Sequence, residues 1–125
     1  MSVIFNLWTI YQSEKGIKMK TLYAIKDFAH PYAFDFEGTE ITNPIIDEDG
    51  LGVPTSPEYY GFKITTTGGG CTAYAQYFLL DGKKVLMLIT DGDGNYVDGE
   101  TITATIGLYD KDMVDPISDT WQVSR

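Results

Sequence analysis

Residues 66–110 read TTGGGCTAYAQYFLLDGKKVLMLITDGDGNYVDGETITATIGLYD, and this stretch decides the fold. Residues 72–80 are apolar and aromatic and run into Asp81-Gly82, a dipeptide favoured in two-residue type I′ hairpin turns because both positions must take positive φ. That turn sets a register in which Leu80 faces Lys83, Phe78 faces Val85 and Tyr74 faces Ile89. Residues 85–89 are apolar without alternation, which predicts a central strand covered on both faces. Alternation returns at 101–109, where Ile102, Ala104, Ile106 and Leu108 look one way and Thr101, Thr103 and Thr105 the other, as in a strand with one solvent-facing side. Three antiparallel strands therefore form a central meander.

Working outward, residues 59–66 read as a strand interrupted by Thr67-Gly68-Gly69-Gly70, residues that tolerate unusual backbone angles. Residues 20–27 and 32–37 read as a hairpin around Ala29-His30-Pro31. In its second strand Tyr32, Phe34 and Phe36 oppose Ala33, Asp35 and Glu37 with a period of two. Residues 38–58 form a long loop rich in glycine and proline, with the acidic run Asp47-Glu48-Asp49 and a short strand at 40–42. A last strand falls at 120–123, anchored by Trp121. No segment shows apolar residues at i, i+3, i+4 and i+7 over three turns, so the expected fold is all-β: a single-domain antiparallel β-sandwich or small barrel built on the central three-stranded meander.

At 125 residues the chain suffices for one domain with a real core and is too short for two. Residues 19–125 are read as that domain. Residues 1–18 have two readings: an extension upstream of a natural start at Met19, or a first strand at 3–11. The apolar run near the N-terminus lacks a basic region before it and a small-residue cleavage site after it, so it does not read as a signal peptide. No apolar run reaches the ~20 residues needed to span a bilayer, and a lone Cys71 permits no intramolecular disulfide. The expectation is a soluble protein of a reducing, bacterial cytoplasm. The net charge of −9 argues against direct nucleic-acid binding, which needs Lys and Arg on phosphates, and suits attraction to a basic protein surface or to cations.

Three groups of residues could carry chemistry. Asp91, Asp93, Asn95, Asp98 and Glu100 put five oxygen side chains within ten residues, and calcium takes six to eight oxygen ligands. Counted from Asp91, however, the sixth position is Tyr96 and the twelfth Ile102, so the EF-hand pattern fails and a hairpin connection is the stronger reading. Gly68, Gly69, Gly70 and Cys71 invite a phosphate-loop or nucleophile reading, but no Gly-Lys-Ser/Thr opens a helix there, and a Cys71–His30 pair is not required by any spacing. Three glycines still exceed what a simple turn needs, which marks this stretch, with Tyr74, as a candidate binding entrance. Tyr59, Tyr60, Tyr74 and Tyr77 could line a groove, and Asp47, Glu48 and Asp49 make a candidate acidic binding loop. No catalytic constellation emerges.

The run GGGCTA at 68–73, LITDGDG at 88–94 and GLYD at 107–110 resembles a pattern in small uncharacterised proteins encoded by bacteriophages and prophages. The resemblance covers about a third of the chain and names no catalytic residue. It implies a phage setting, in which small acidic proteins bind and block a host protein, including anti-phage defence machinery, or mimic the charge of DNA. The expected function is a non-enzymatic accessory protein acting on a host macromolecule through acidic loops. The alternatives are a small-ligand binding or sequestering protein and a virion decoration protein.

Overall fold

A computed structural model describes residues 19–48 and 53–125; the strand expected at 3–11 and Asp49 of the acidic run lie outside the described residues. The chain forms β1 (Lys20–Ala24), β2 (Tyr32–Phe36), β3 (Thr39–Ile41), a 3₁₀ turn at Pro57–Tyr60, β4 (Lys63–Gly68), β5 (Cys71–Leu80), β6 (Lys83–Thr90), β7 (Thr103–Asp110) and β8 (Trp121–Ser124). All strands belong to one sheet in the order β3-β2-β1-β5-β6-β7-β8, with β4 also on β5. The all-β expectation holds. No described helix is long and apolar enough to cross a membrane.

The central meander follows the register set by Asp81-Gly82. Leu80 pairs with Lys83, Phe78 with Val85 and Tyr74 with Ile89, and the two turn residues take φ of 52° and 79°, both positive as a type I′ turn requires. β6 is buried on both faces. Val85, Met87 and Ile89 enter the main core, and Leu86 and Leu88 join Ala73 in a second cluster capped by Tyr109 and Met113.

One pairing departs from an antiparallel sheet. β5 is long enough for two partners on one edge: β4 pairs antiparallel along residues 71–75, and β1 pairs parallel with residues 78–80. The β1-β2-β3 meander thus branches from the lower half of β5 and folds over the β5-β8 half, much as one layer of a sandwich covers the other. Phe34 bridges the layers, its ring centroid 5.0 Å from Phe78 and 6.2 Å from Phe62, while Tyr32 stacks 5.5 Å from Trp121 on β8. The sheet does not close into a barrel. Side chains join its free ends instead: Asn43 Nδ2 donates to Ser124 O at 2.8 Å, and Arg125 Nε donates to Ile45 O at 3.0 Å.

Two local expectations are corrected. Residues 59–66 are not one strand: Pro57–Tyr60 winds into a 3₁₀ turn capped by Ser56, whose hydroxyl accepts from Glu58 N, and is stopped by Gly61 at φ 97°. Ile102 does not join the inward face with Ala104, because β7 begins at Thr103; Ile102 stands 63% exposed.

Candidate functional site

The two sequence features of greatest interest meet at one end of the sheet. β4 and β5 are joined by a hairpin in which Gly68 pairs with Cys71, with a register shift between Thr66 and Gly68. Gly69 and Gly70 take φ of 60° and 83°, the two positive values of a type I′ turn, and Gly68 sits at 105° beside the bulge. All three glycines are consumed by backbone geometry, which corrects the expectation that they exceed a turn's needs.

The β6–β7 connection lies against this hairpin. Thr72 N donates to Gly94 O at 3.2 Å, and Tyr96 N donates to the Thr72 hydroxyl at 3.1 Å. A Cβ at Gly94 would meet the half-buried Cys71 sulfur at 3.5 Å. Asp91 folds the connection on itself: its Oδ1 accepts from Asp93 N at 2.8 Å and Asn95 N at 3.0 Å, the local bonding for which Asp is favoured in turns. Asp98 does the same downstream, accepting from Glu100 N at 2.8 Å and the Thr101 hydroxyl at 3.0 Å. These bonds, the Glu100 N–H first among them, hold the Asp98 carboxyl below 3.8. Asp91 and Asp98 act as turn caps, while Asp93, Asn95 and Glu100 stand exposed. Among the described residues no three His, Cys, Asp or Glu side chains converge to hold a metal ion.

Arg125 ties this end to the rest of the molecule. Its Nη1 donates to Asp98 O (3.1 Å), Gly99 O (3.0 Å) and Thr101 O (2.7 Å), and Nη2 donates to Thr55 O (3.0 Å). With the Nε bond to Ile45 O, one guanidinium gathers the β6–β7 connection and the segments around Ile45 and Thr55. Asp47 and Glu48 lie two and three residues after Ile45. Glu48 is turned inward, accepting from Thr42 N, from the Thr42 hydroxyl at 2.7 Å and from Asn43 N at 2.8 Å. The result is an end at which the β6–β7 connection, bearing Asp91, Asp93, Asp98 and Glu100, is held to a single cation, Arg125, while Asp47 lines a separate hollow with Phe36, Glu37, Thr39 and Tyr59. Beside that connection lies a cavity of about 390 Å³ lined by Ser56, Tyr74, Tyr96, Asp98 and Arg125 among others.

The remaining candidates disperse. His30 belongs to the β1–β2 loop, its Nδ1 3.6 Å from Asp27 Oδ2; because β1 runs parallel to β5 from Phe78 onward, that loop lies at the end of β5 opposite Cys71. The four tyrosines do not share a groove. Tyr60 is core, donating to Ile46 O at 2.7 Å. Tyr74 is buried beside Tyr96 and donates to Glu58 at 2.9 Å; burial first, and then that carboxylate, raises its pKa. Tyr77 lies on the opposite sheet face under Lys84, whose ammonium is 4.4 Å from the ring centroid. Tyr59 alone of the four is largely exposed on the Phe36 side. Sequence reading did not find Arg125 or Tyr96, for neither belongs to a motif. No known protein family, curated protein or solved structure shows significant similarity to this chain.

Proposed function

We propose that the protein is a non-enzymatic accessory protein of phage or prophage type that binds a basic surface of a host macromolecule through the acidic end of its sheet. The observation supporting this reading is the β6–β7 connection, whose Asp91, Asp93, Asp98 and Glu100 are gathered by Arg125, the only cation at that end among the described residues. Lys26, Lys83, Lys84 and Lys111 all fall in or beside the loops at the other end of β5 and β6. Asp27, Asp81, Asp110, Asp112 and Asp115 share those loops and leave them near charge balance, so the net negative charge is greater at the Arg125 end, and such a field raises association rates and selects partners of opposite sign. The rigid turns that present the carboxylates keep the ordering cost of binding low.

The test uses Asp93→Lys/Glu100→Lys, two exposed positions outside the capping bonds. Capture of an identified partner from bacterial lysate at low salt, weakened about tenfold or more by this double variant and by high salt, is the expected result. Capture indifferent to both changes sinks the proposal. Lys84→Glu at the opposite end is the control and should leave binding in place.

A further inference from the structure

A second, chemically different surface lies away from the acidic end, where β1 and β4 abut on the same edge of β5. There a groove of about 690 Å³ runs between β1, the end of β2, the 3₁₀ turn and the start of β4, lined by Lys20, Phe36, Tyr59, Lys63 and Gln76 among others. Lys20 is half-buried and held in place: Nζ donates to Gln76 Oε1 at 2.7 Å, and Gln76 Nε2 donates to Tyr60 O at 3.0 Å. The ammonium stands 5.8 Å from the Phe36 ring centroid. Gly61 makes room for this arrangement, since a Cβ there would come within 3.0 Å of both Lys20 Nζ and Gln76 Oε1.

Lys20 has no carboxylate partner among the described residues. The two acids that line the groove are engaged elsewhere: Asp35 accepts from the Tyr23 hydroxyl at 3.1 Å, and Glu58 accepts from the Tyr74 hydroxyl at 2.9 Å. In a chain with twice as many acids as bases, a half-buried lysine positioned by an amide rather than an ion pair keeps N–H donors in reserve. Burial lowers its pKa from 10.5, a cost that a bound anion would offset. Beside it, Phe36 and the 56% exposed Tyr59 form an aromatic wall, their centroids 5.3 Å apart.

We infer that this groove binds a small anion carrying a flat ring, its phosphate or carboxylate meeting Lys20 and Lys63 and its ring lying against Tyr59 and Phe36. The size fits: ligand pockets for such molecules run about 300–1,000 Å³ with aromatic walls and a few fixed polar groups. The site shares no charged residue with the acidic end, so the two proposals fail independently.

The experiment is calorimetric titration of the full chain with phenyl phosphate and with AMP, alongside inorganic phosphate and adenosine, which supply the charge or the ring alone. The expected result is saturable binding of at least one ringed anion. That binding should be about tenfold or more weaker for the ringless or uncharged counterpart and in Lys20→Met, with Lys20→Arg recovering most of the loss. Tyr59→Ala, at a ring more than half exposed, should weaken binding about fivefold or more while the far-ultraviolet circular dichroism spectrum stays that of the wild type. No saturable binding by either ringed anion, or an affinity that Lys20→Met and Tyr59→Ala both leave unchanged, overturns the inference.

Discussion

Removing the Arg125 guanidinium should open the molecule at the gap its strands do not close. The side chain makes five hydrogen bonds to carbonyls of Ile45, Thr55, Asp98, Gly99 and Thr101, fastening the Ile45 and Thr55 segments, themselves paired through Thr55 N to Ile45 O at 3.0 Å, to the β6–β7 connection. A hydrogen bond from a charged donor contributes about 1.5–3 kcal/mol, yet these five share one half-exposed group, two Nη1 hydrogens serve three acceptors, and freed carbonyls regain water. Arg125→Ala is therefore expected to cost about 3 kcal/mol, well below the sum of five bonds. Arg125→Lys should cost about 2 kcal/mol, because an ammonium is a point donor and cannot span acceptors that the planar fork reaches together. For a domain of this length about 3 kcal/mol corresponds to a fall of about 12 °C in Tm. The Arg125 backbone bond to Ile102 O, 2.9 Å, survives in both variants and isolates the side chain's share. Urea melts read by near-ultraviolet circular dichroism give the midpoint and the slope. Wild-type midpoints in Arg125→Ala, or full stability in Arg125→Lys, would refute the claim that the fork fastens the sheet's ends.

Other perturbations probe the opposite face and the titrating groups. Gly107 has room for no side chain, since a Cβ would stand 2.9 Å from Tyr109 Cε1 and 3.1 Å from its hydroxyl oxygen. Gly107→Ala should displace the ring that caps Leu86 and Leu88 and cost about 1–2 kcal/mol, and the cost should largely vanish in a Tyr109→Ala background, as a double-mutant cycle in urea would show. On the acid side, Asp98 and Asp27 titrate below 3.8 in the fold, each chiefly through a backbone N–H, from Glu100 and Ala29 respectively. Their stabilisation is complete above 3.8 and is lost as pH falls through the folded values, so Asp98→Asn should flatten the decline of Tm below about pH 4. On the alkaline side, burial and then the carboxylates of Asp35 and Glu40 raise the Tyr23 phenol above 10.0. Its contribution is intact below 10.0 and disappears as pH climbs toward the folded value, so Tyr23→Phe should lose less Tm than wild type between about pH 9 and 11. Parallel slopes in either pair would contradict the assignment.

What could be read from sequence was whatever neighbours in the chain decide among themselves. Asp81-Gly82 carries its own φ preference, and with it came the register of β5 against β6, while the unbroken apolar run at 85–89 carried the double burial of β6. Ser56-Pro57 and Gly61 carry an equally local message, a cap, a first-turn proline and a left-handed stop, which the reading of 59–66 as a strand left unused. The three glycines erred in the other direction, seeming a surplus until the bulge at Thr66/Gly68 accounted for the first of them. The parallel β1–β5 pairing was out of reach, because a strand that shares an edge with another partner shows nothing of this in its own alternation. The same limit governs the sites. Acids that cap turns announce themselves by spacing, as Asp91 and Asp98 do, whereas Arg125 bonds to backbone carbonyls, which every residue supplies alike. Lys20 depends on Gln76, 56 positions away, which in turn depends on another carbonyl. In an acidic chain the few cations thus carry more structural and functional weight than their number suggests, and because their acceptors are mainly backbone and amide oxygens, only the fold reveals where that weight falls.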